Sequence, residues 1–204
     1  MTAPIDVYYD FRSPYAYLAW WRIRHGFLGS ATWRWRPVSI DVLLNLQAGR
    51  EPRATYLDPL APPKRRHFLL DVRRSADFYG APLVAPHVPR PDPTQALCTA
   101  LLLEQNSSLP DAFIDAIFEA MWQRSRDIGA REILSDCLER ATLDVALADQ
   151  AFSGELRNAL VVHTAAAYQD GIFGVPTFVA NGEIFFGADR MDMLAWSLRQ
   201  TAAA

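Results

Sequence analysis

A chain of 204 residues is long enough for one well-cored domain or two small ones. Hydrophobic residues make up 50% and charged residues 21%, ordinary globular usage that excludes disordered, collagenous and coiled-coil classes. Twenty basic against 23 acidic side chains leave a net charge of -3, so no nucleic-acid partner is expected, since that class calls for a basic excess.

Ile5 to Tyr9 are rich in β-branched and aromatic types and stop at Asp10, which predicts a short buried strand. Pro14 stands where a helix can begin, and Tyr17, Leu18, Trp21 and Ile23 fit a helix over 15–27, with Gly26 and Gly29 helping to end it. A second strand is predicted at Thr32 to Arg36, Trp33 and Trp35 on one face and Arg34 and Arg36 on the other. This is a β-α-β opening.

From about Ile40 to Asp170 the apolar period changes from 2 to 3.6. Pro63 to Tyr79 reads as a helix with Phe68, Val72 and Ala76 on one face, and a proline-rich connector follows. There Asp92 can N-cap, Pro93 takes the first helical position and Gln95 completes a spacing like a capping box. Helices are predicted at about 94–105, 111–124, 130–140, 144–152 and 155–170. The apolar face of Phe113, Ile117, Phe118, Met121 and Trp122 reads mainly as core, with room for one or two of them under an aromatic substrate.

Strand signals return at Thr177 to Ala180 and Glu183 to Phe186, joined by Asn181-Gly182, the signature of a type I′ hairpin; a last helix begins near Asp189 or Arg190. A lone hairpin and a lone β-α-β unit cannot bury their faces, so the two ends of the chain must meet. The expected class is α/β, with the sheet-forming halves at 1–40 and 171–204 and an inserted helical subdomain at 41–170.

Cys98 and Cys137 lie far apart in helical segments, without a CxxC or a Cys/His spacing suited to zinc, so two buried free thiols and no metal are expected. The opening MTAPIDVYYDF has no basic n-region, carries Asp6 and Asp10 where a signal peptide is apolar, and no run approaches the length of a membrane span. A cytoplasmic protein without a membrane partner is expected.

Two segments can carry chemistry. In DFRSPYA, Ser13 stands at a strand end and at a helix N-terminus, where free backbone N–H groups and the dipole favour an anion; on these residues alone Ser13 reads as the N-cap. In GIFGVPTF, Pro176 directly precedes a strand and, taken alone, simply starts it. Together they resemble thioredoxin-fold proteins of the disulfide oxidoreductase A type, which have a helical insertion between β-α-β and ββα halves. The redox motif CPxC of such proteins falls on Ser13-Pro14-Tyr15-Ala16, where serine and alanine replace both cysteines and exclude a dithiol cycle. Serine followed by Pro-Tyr resembles the kappa-class glutathione transferases and the 2-hydroxychromene-2-carboxylate isomerases. The resemblance spans DFRSPYAYLAW, PPKRRHFLLD and GIFGVPTFVANGEIFFGADRMDML, the last being the most specific.

That resemblance implies glutathione as cofactor, a small aromatic substrate and a homodimer. It implies that Ser13 hydrogen-bonds the glutathione sulfur and favours its thiolate, and is not itself a nucleophile. Val175, before a cis Pro176, would pair its backbone with the cysteinyl unit. Asp189 and Arg190 would hold the γ-glutamyl end, though Asp189 also suits a helix N-cap. Ala188 departs from the family's asparagine or serine, which removes about 1 kcal/mol of binding or is covered by a backbone N–H. Lys64 and Asp71 match residues around the glycyl end and the mouth of the site, against the plainer reading of a solvated basic helix face. No ligand is assigned between Gln47 and Pro62. Arg12 reads as an exposed strand-end arginine or as a contact for a substrate carboxylate. The implied activity is a glutathione-dependent isomerase exchanging cis and trans forms of an aromatic α-keto acid; the alternatives are a kappa-like transferase and a glutathione-binding module without turnover.

Overall fold

The computed structural model describes residues 4–57, 60–106 and 109–203. Four strands, β1 (Ile5–Tyr9), β2 (Trp33–Pro37), β3 (Thr177–Ala180) and β4 (Glu183–Phe186), form one sheet in the order β2-β1-β3-β4. β1 runs parallel to β2 and antiparallel to β3, and β3 to β4 is an antiparallel hairpin through Asn181 and Gly182. The two ends of the chain therefore meet in one sheet, a thioredoxin-like α/β arrangement with helices between β2 and β3.

The inner face of β1 presents Ile5, Val7 and Tyr9, all nearly or fully buried, while Asp6 faces outward opposite Arg34 of β2. Arg34 and Arg36 both pair with Asp6; burial pushes the Asp6 carboxyl up, but the two guanidinium groups hold it below the usual carboxylate range. The alternation anticipated for β2 holds, with Trp35 in the core and Trp33 half-buried.

Helix α1 (Pro14–Arg24) is capped by Ser13 and stops three residues earlier than the apolar period suggests. Its C-terminal turn passes through Gly26 at φ +92, a conformation that breaks the helical run. Helix α2 (Ile40–Gln47) follows β2 and has no counterpart in the sequence reading. Ser39 gives it no side-chain cap; its first N–H is instead accepted by the Asp10 carboxylate at 2.9 Å, thirty residues away in the chain. Then come α3 (Pro62–Tyr79), α4 (Thr94–Asn106), α5 (Asp111–Trp122), α6 (Arg131–Arg140), α7 (Leu147–Ala151) and α8 (Gly154–Gln169). A 3₁₀ turn, Ala188–Arg190, leads into α9 (Met191–Ala203).

Helix α7 is shorter than its apolar pattern because Asp144 accepts the N–H of Ala146 at 2.9 Å and holds the preceding residues in a turn. Asp92 accepts the N–H and hydroxyl of Thr94 at 3.0 and 2.6 Å, but among the described residues the buried side-chain oxygen of Gln95 has no partner, so the reciprocal half of the capping box does not form. Helix α3 buries only Val72 and Ala76, half-buries Phe68, and ends at Gly80 in the left-handed conformation.

One apolar core joins the inner face of the sheet to α1, α4, α5 and α6. Phe113, Ile117, Phe118 and Met121 are fully buried in it and Trp122 nearly so, Phe118 touching both Tyr9 and Phe11, and none of the five lines either of the two clefts described below. These side chains therefore pack the core and do not floor a substrate pocket. Each contributes about 1.5–3 kcal/mol through burial. Among the described residues no helix is long and apolar enough to cross a membrane.

Candidate functional site

The site begins where β1 ends. Asp10 is fully buried; its carboxylate accepts the N–H groups of Arg12 at 2.8 Å and Ile40 at 2.9 Å, and its carbonyl accepts the N–H of Ser13 at 3.0 Å. Burial pushes its carboxyl above the usual range, against the pull of Arg12 and the two N–H groups. One side chain thus fixes the Ser13 turn to the start of α2.

Ser13 is 5% exposed. Its Oγ accepts the N–H of Ala16 at 3.2 Å, so it is the N-cap that the local sequence implies. Among the described residues its hydroxyl proton faces only the carbonyl of Val175, at 3.5 Å, longer than a normal O–H···O bond of about 2.5–3.0 Å. The cap and a weakly engaged donor therefore reside in one hydroxyl, at a helix N-terminus where anions are favoured.

Val175 comes from the other end of the chain. The Val175-Pro176 bond is cis, as the resemblance implies, and among the described residues the Val175 N–H makes no hydrogen bond. The turn is held by Thr177, whose hydroxyl donates to the Gly174 carbonyl at 2.7 Å, and by Gly187, whose N–H donates to the Pro176 carbonyl at 2.9 Å. Gly174 is needed for space: a Cβ there would lie 2.6 Å from the ring of Phe186. Gly187 is needed for its φ of +108, a conformation that side-chain-bearing residues rarely adopt.

A cleft of about 520 Å3 lies against these turns. Asp71, Val175, Pro176, Asp189 and Arg190 all line it; Ser13 is not a lining residue and stands behind Val175, its hydroxyl 3.5 Å from the Val175 carbonyl. Lys64 is not among the lining residues; it stands exposed in the first turn of α3, two turns or about 10 Å along the axis from Asp71. Asp71 accepts the Tyr15 hydroxyl at 2.6 Å, and burial together with that carboxylate pushes the Tyr15 phenol well up. Asp189 is largely exposed and lies 3.7 Å from Arg190; it accepts no backbone N–H among the described residues, so it is not a helix cap. Ala188 is buried and its carbonyl accepts from Arg22 at 3.1 Å. The cleft's acidic groups suit an ammonium, Arg190 suits a carboxylate, and the open Val175 N–H suits an extended peptide backbone.

Tyr15, Ser75, Tyr79 and Phe186 also line the cleft and were not singled out from sequence. The signal was present for three of them. Asp71, Ser75 and Tyr79 recur every four residues on one face of α3, and Tyr15 belongs to the Ser-Pro-Tyr motif. Arg12 is not an exposed arginine: both terminal nitrogens engage Asp41, and its side chain is only 15% exposed. Within the loop left without a ligand, Asp58 and Pro59 lie outside the described residues. Cys98 and Cys137 are fully buried free thiols, pushed up by burial to about 11.

A thioredoxin sheet whose helix-initiating turn faces a cis-proline turn defines a class, and the chain belongs to the DsbA-like thioredoxin domain family, whose model matches residues 4–199. Within that class it is similar to the 2-hydroxychromene-2-carboxylate isomerase of Sphingobium xenophagum, 30% identical over 206 residues, which cover 95% of this chain and 97% of the relative. A solved structure of 2-hydroxychromene-2-carboxylate isomerase matches with a TM-score of 0.82 at 22% identity, over 98% of this chain and 96% of that one. The cytosolic disulfide reductase DsbM of Pseudomonas aeruginosa, solved with GSH, matches with a TM-score of 0.63 at 17% identity, over 97% of this chain and all of that one (100%).

Proposed function

We propose that the protein is a glutathione-dependent isomerase that exchanges the cis and trans forms of a ring-opened aromatic α-keto acid, the chemistry of 2-hydroxychromene-2-carboxylate isomerisation. The observation that carries this reading is the Ser13 hydroxyl, buried at the N-terminus of α1, beside the N–H of Val175; among the described residues the hydroxyl proton is engaged only at 3.5 Å and that N–H makes no hydrogen bond. The name of the Sphingobium relative supports the reaction, and the DsbM structure with GSH supports the cofactor.

When bound, glutathione supplies a thiolate whose reversible addition to a conjugated double bond lowers the bond order and permits rotation. Ser13 donates its proton toward the sulfur and, with the α1 dipole, favours thiolate over thiol. Val175 offers its N–H and carbonyl to the cysteinyl backbone, and Pro176 walls the same edge of the cleft. Asp189 meets the tripeptide's ammonium. Arg190 meets the γ-glutamyl carboxylate, Asp71 keeps the mouth in shape through Tyr15, and Lys64 reaches for the glycyl carboxylate from the first turn of α3. Alanine at position 16 leaves no resolving thiol, so the site serves addition and expulsion and not disulfide exchange.

The test is incubation of 2-hydroxychromene-2-carboxylate with and without glutathione, following benzylidenepyruvate formation. Conversion only in the presence of glutathione, with glutathione recovered unchanged, is expected. A stable glutathione conjugate would establish a transferase in its place, and no conversion in either arm would refute the reading.

A further inference from the structure

A second cleft, of about 440 Å3, shares no lining residue with the first. It is bounded by α2, the 52–56 segment, the start of α4 and the first turns of α8. Its apolar wall is Val42, Leu160 and Val161, with the Tyr56 ring held in place by Arg90, whose guanidinium lies 3.5 Å from the ring centroid. The 52–56 segment is pinned from below by Asn45, which donates to the Pro52 and Ala54 carbonyls at 3.1 and 2.8 Å. The cleft is therefore built, and its lining sets Arg53 and Arg157 beside Asp41 and Asp92, two aspartates that other groups already occupy.

Two carboxylates and four arginines meet here. Asp41 is taken by Arg12 and by Arg90 at 2.6 Å, and Asp92 is taken by the start of α4. Arg157 is left with no hydrogen bond or ion pair from its guanidinium among the described residues, and Arg53 makes one bond, to Asn158. Both line the cleft beside the apolar wall. An inorganic anion needs no such wall, and a neutral aromatic needs no such arginines.

We propose that this cleft binds the carboxylate of a small aromatic acid, with Arg157 and Arg53 as the anion contacts and Val42, Leu160, Val161 and Tyr56 against its apolar body. The identification of that acid as the substrate rests on the isomerase reading; the binding itself does not. Arg12, next in sequence to Ser13, bonds Asp41 of this wall, and Asp10 ties the N–H groups of Arg12 and Ile40 to one carboxylate. The acid site is thus fixed next to the Ser13 turn, leaving the first cleft to the tripeptide.

The test is titration of trans-cinnamate into the protein without glutathione, by calorimetry and by methyl NMR. Saturable binding that shifts Val42, Leu160 and Val161 methyl signals is expected. Cinnamamide and inorganic phosphate should each bind about tenfold more weakly or worse, and Arg157→Gln and Arg53→Gln should each weaken cinnamate by about tenfold or more, the loss of a charge-assisted contact. Glutathione affinity, measured separately, should not change in Arg157→Gln. Cinnamamide or phosphate binding as well as cinnamate, or cinnamate affinity indifferent to both substitutions, would overturn the proposal. If cinnamate behaves as expected while glutathione supports no turnover, the isomerase reading fails and the acid site stands. If turnover needs glutathione but cinnamate binding and KM ignore Arg157→Gln, the acid site fails and the isomerase reading stands.

Discussion

Replacing Ser13 by alanine removes two interactions from one hydroxyl, and the structure allows their effects to be separated. The first is the N-cap, in which Oγ accepts from Ala16 at 3.2 Å; its loss costs about 1 kcal/mol, or about 2–4 °C in Tm for a chain of this size. The second is the proton now facing the Val175 carbonyl at 3.5 Å, a bond long enough to be given up to a better acceptor. A hydrogen bond to a charged acceptor contributes about 1.5–3 kcal/mol, and losing a donor to the charged form raises its pKa, so the bound thiol should titrate about one to two units higher. Turnover near neutral pH should then fall by about one to two orders of magnitude and partly recover as pH rises. Ser13→Gly keeps the cap to within a few tenths of a kcal/mol and loses the same proton, so it should retain stability while reproducing the thiol shift. Thiolate absorbance of the glutathione complexes against pH is the assay. Identical midpoints in the wild type, Ser13→Ala and Ser13→Gly would remove Ser13 from the mechanism and leave it a cap.

Cys98 and Cys137, buried and pushed up to about 11, should resist thiol-directed reagents at neutral pH in the native protein and react at once on unfolding, and insulin reduction should be absent; fast native labelling would contradict the packing of α4 and α6. Gly174→Ala forces the Phe186 ring away from a point 2.6 Å from the new methyl and should cost about 1–3 kcal/mol, a cost that disappears in a Phe186→Ala background; additive losses in the double variant would place the strain elsewhere. His163 is half-buried near Glu104 and Arg36, its Nε2 has no hydrogen-bond partner among the described residues, and burial holds its pKa below the usual value. A depressed histidine contributes stability above its unfolded pKa that is lost as pH falls through the folded one, so the wild type should lose more stability than His163→Gln between about pH 7 and pH 5, read as denaturant midpoints.

The elements that carried a strong period or strong turn chemistry were legible in the sequence. Asn181-Gly182 between two apolar runs fixes a hairpin by local backbone geometry, and it formed at the expected residues. Helix α2 was not legible because its cap is tertiary: Asp10 supplies the acceptor from another strand end, and eight residues without a local cap announce little. The same aspartate shows why reading each residue for its own neighbourhood falls short, since its carboxylate organises Arg12, Ile40 and, through its carbonyl, Ser13.

The pairing of Ser13 with Val175, 162 residues apart, follows from topology more than from either motif. β1 runs toward the Ser13 turn and leaves the sheet at Tyr9. β3 runs the opposite way and enters it at Thr177, with Tyr8 set opposite Thr177. An antiparallel pair brings the end of one strand to the beginning of the other, so the residues that follow Tyr9 and the residues that precede Thr177 must share one end of the sheet. A helix N-terminus and a backbone edge thus face each other whatever side chain sits at position 13. Cysteine or serine there chooses the chemistry, and the sheet supplies the encounter. The second cleft has no such guarantee: Arg157 on α8 and Arg53 before Tyr56 meet only because α2 and α8 pack together and Asn45 pins the intervening segment. No strand register or periodic stripe encodes that meeting, which is why a lone arginine in each of two distant segments carried no signal before the fold was known.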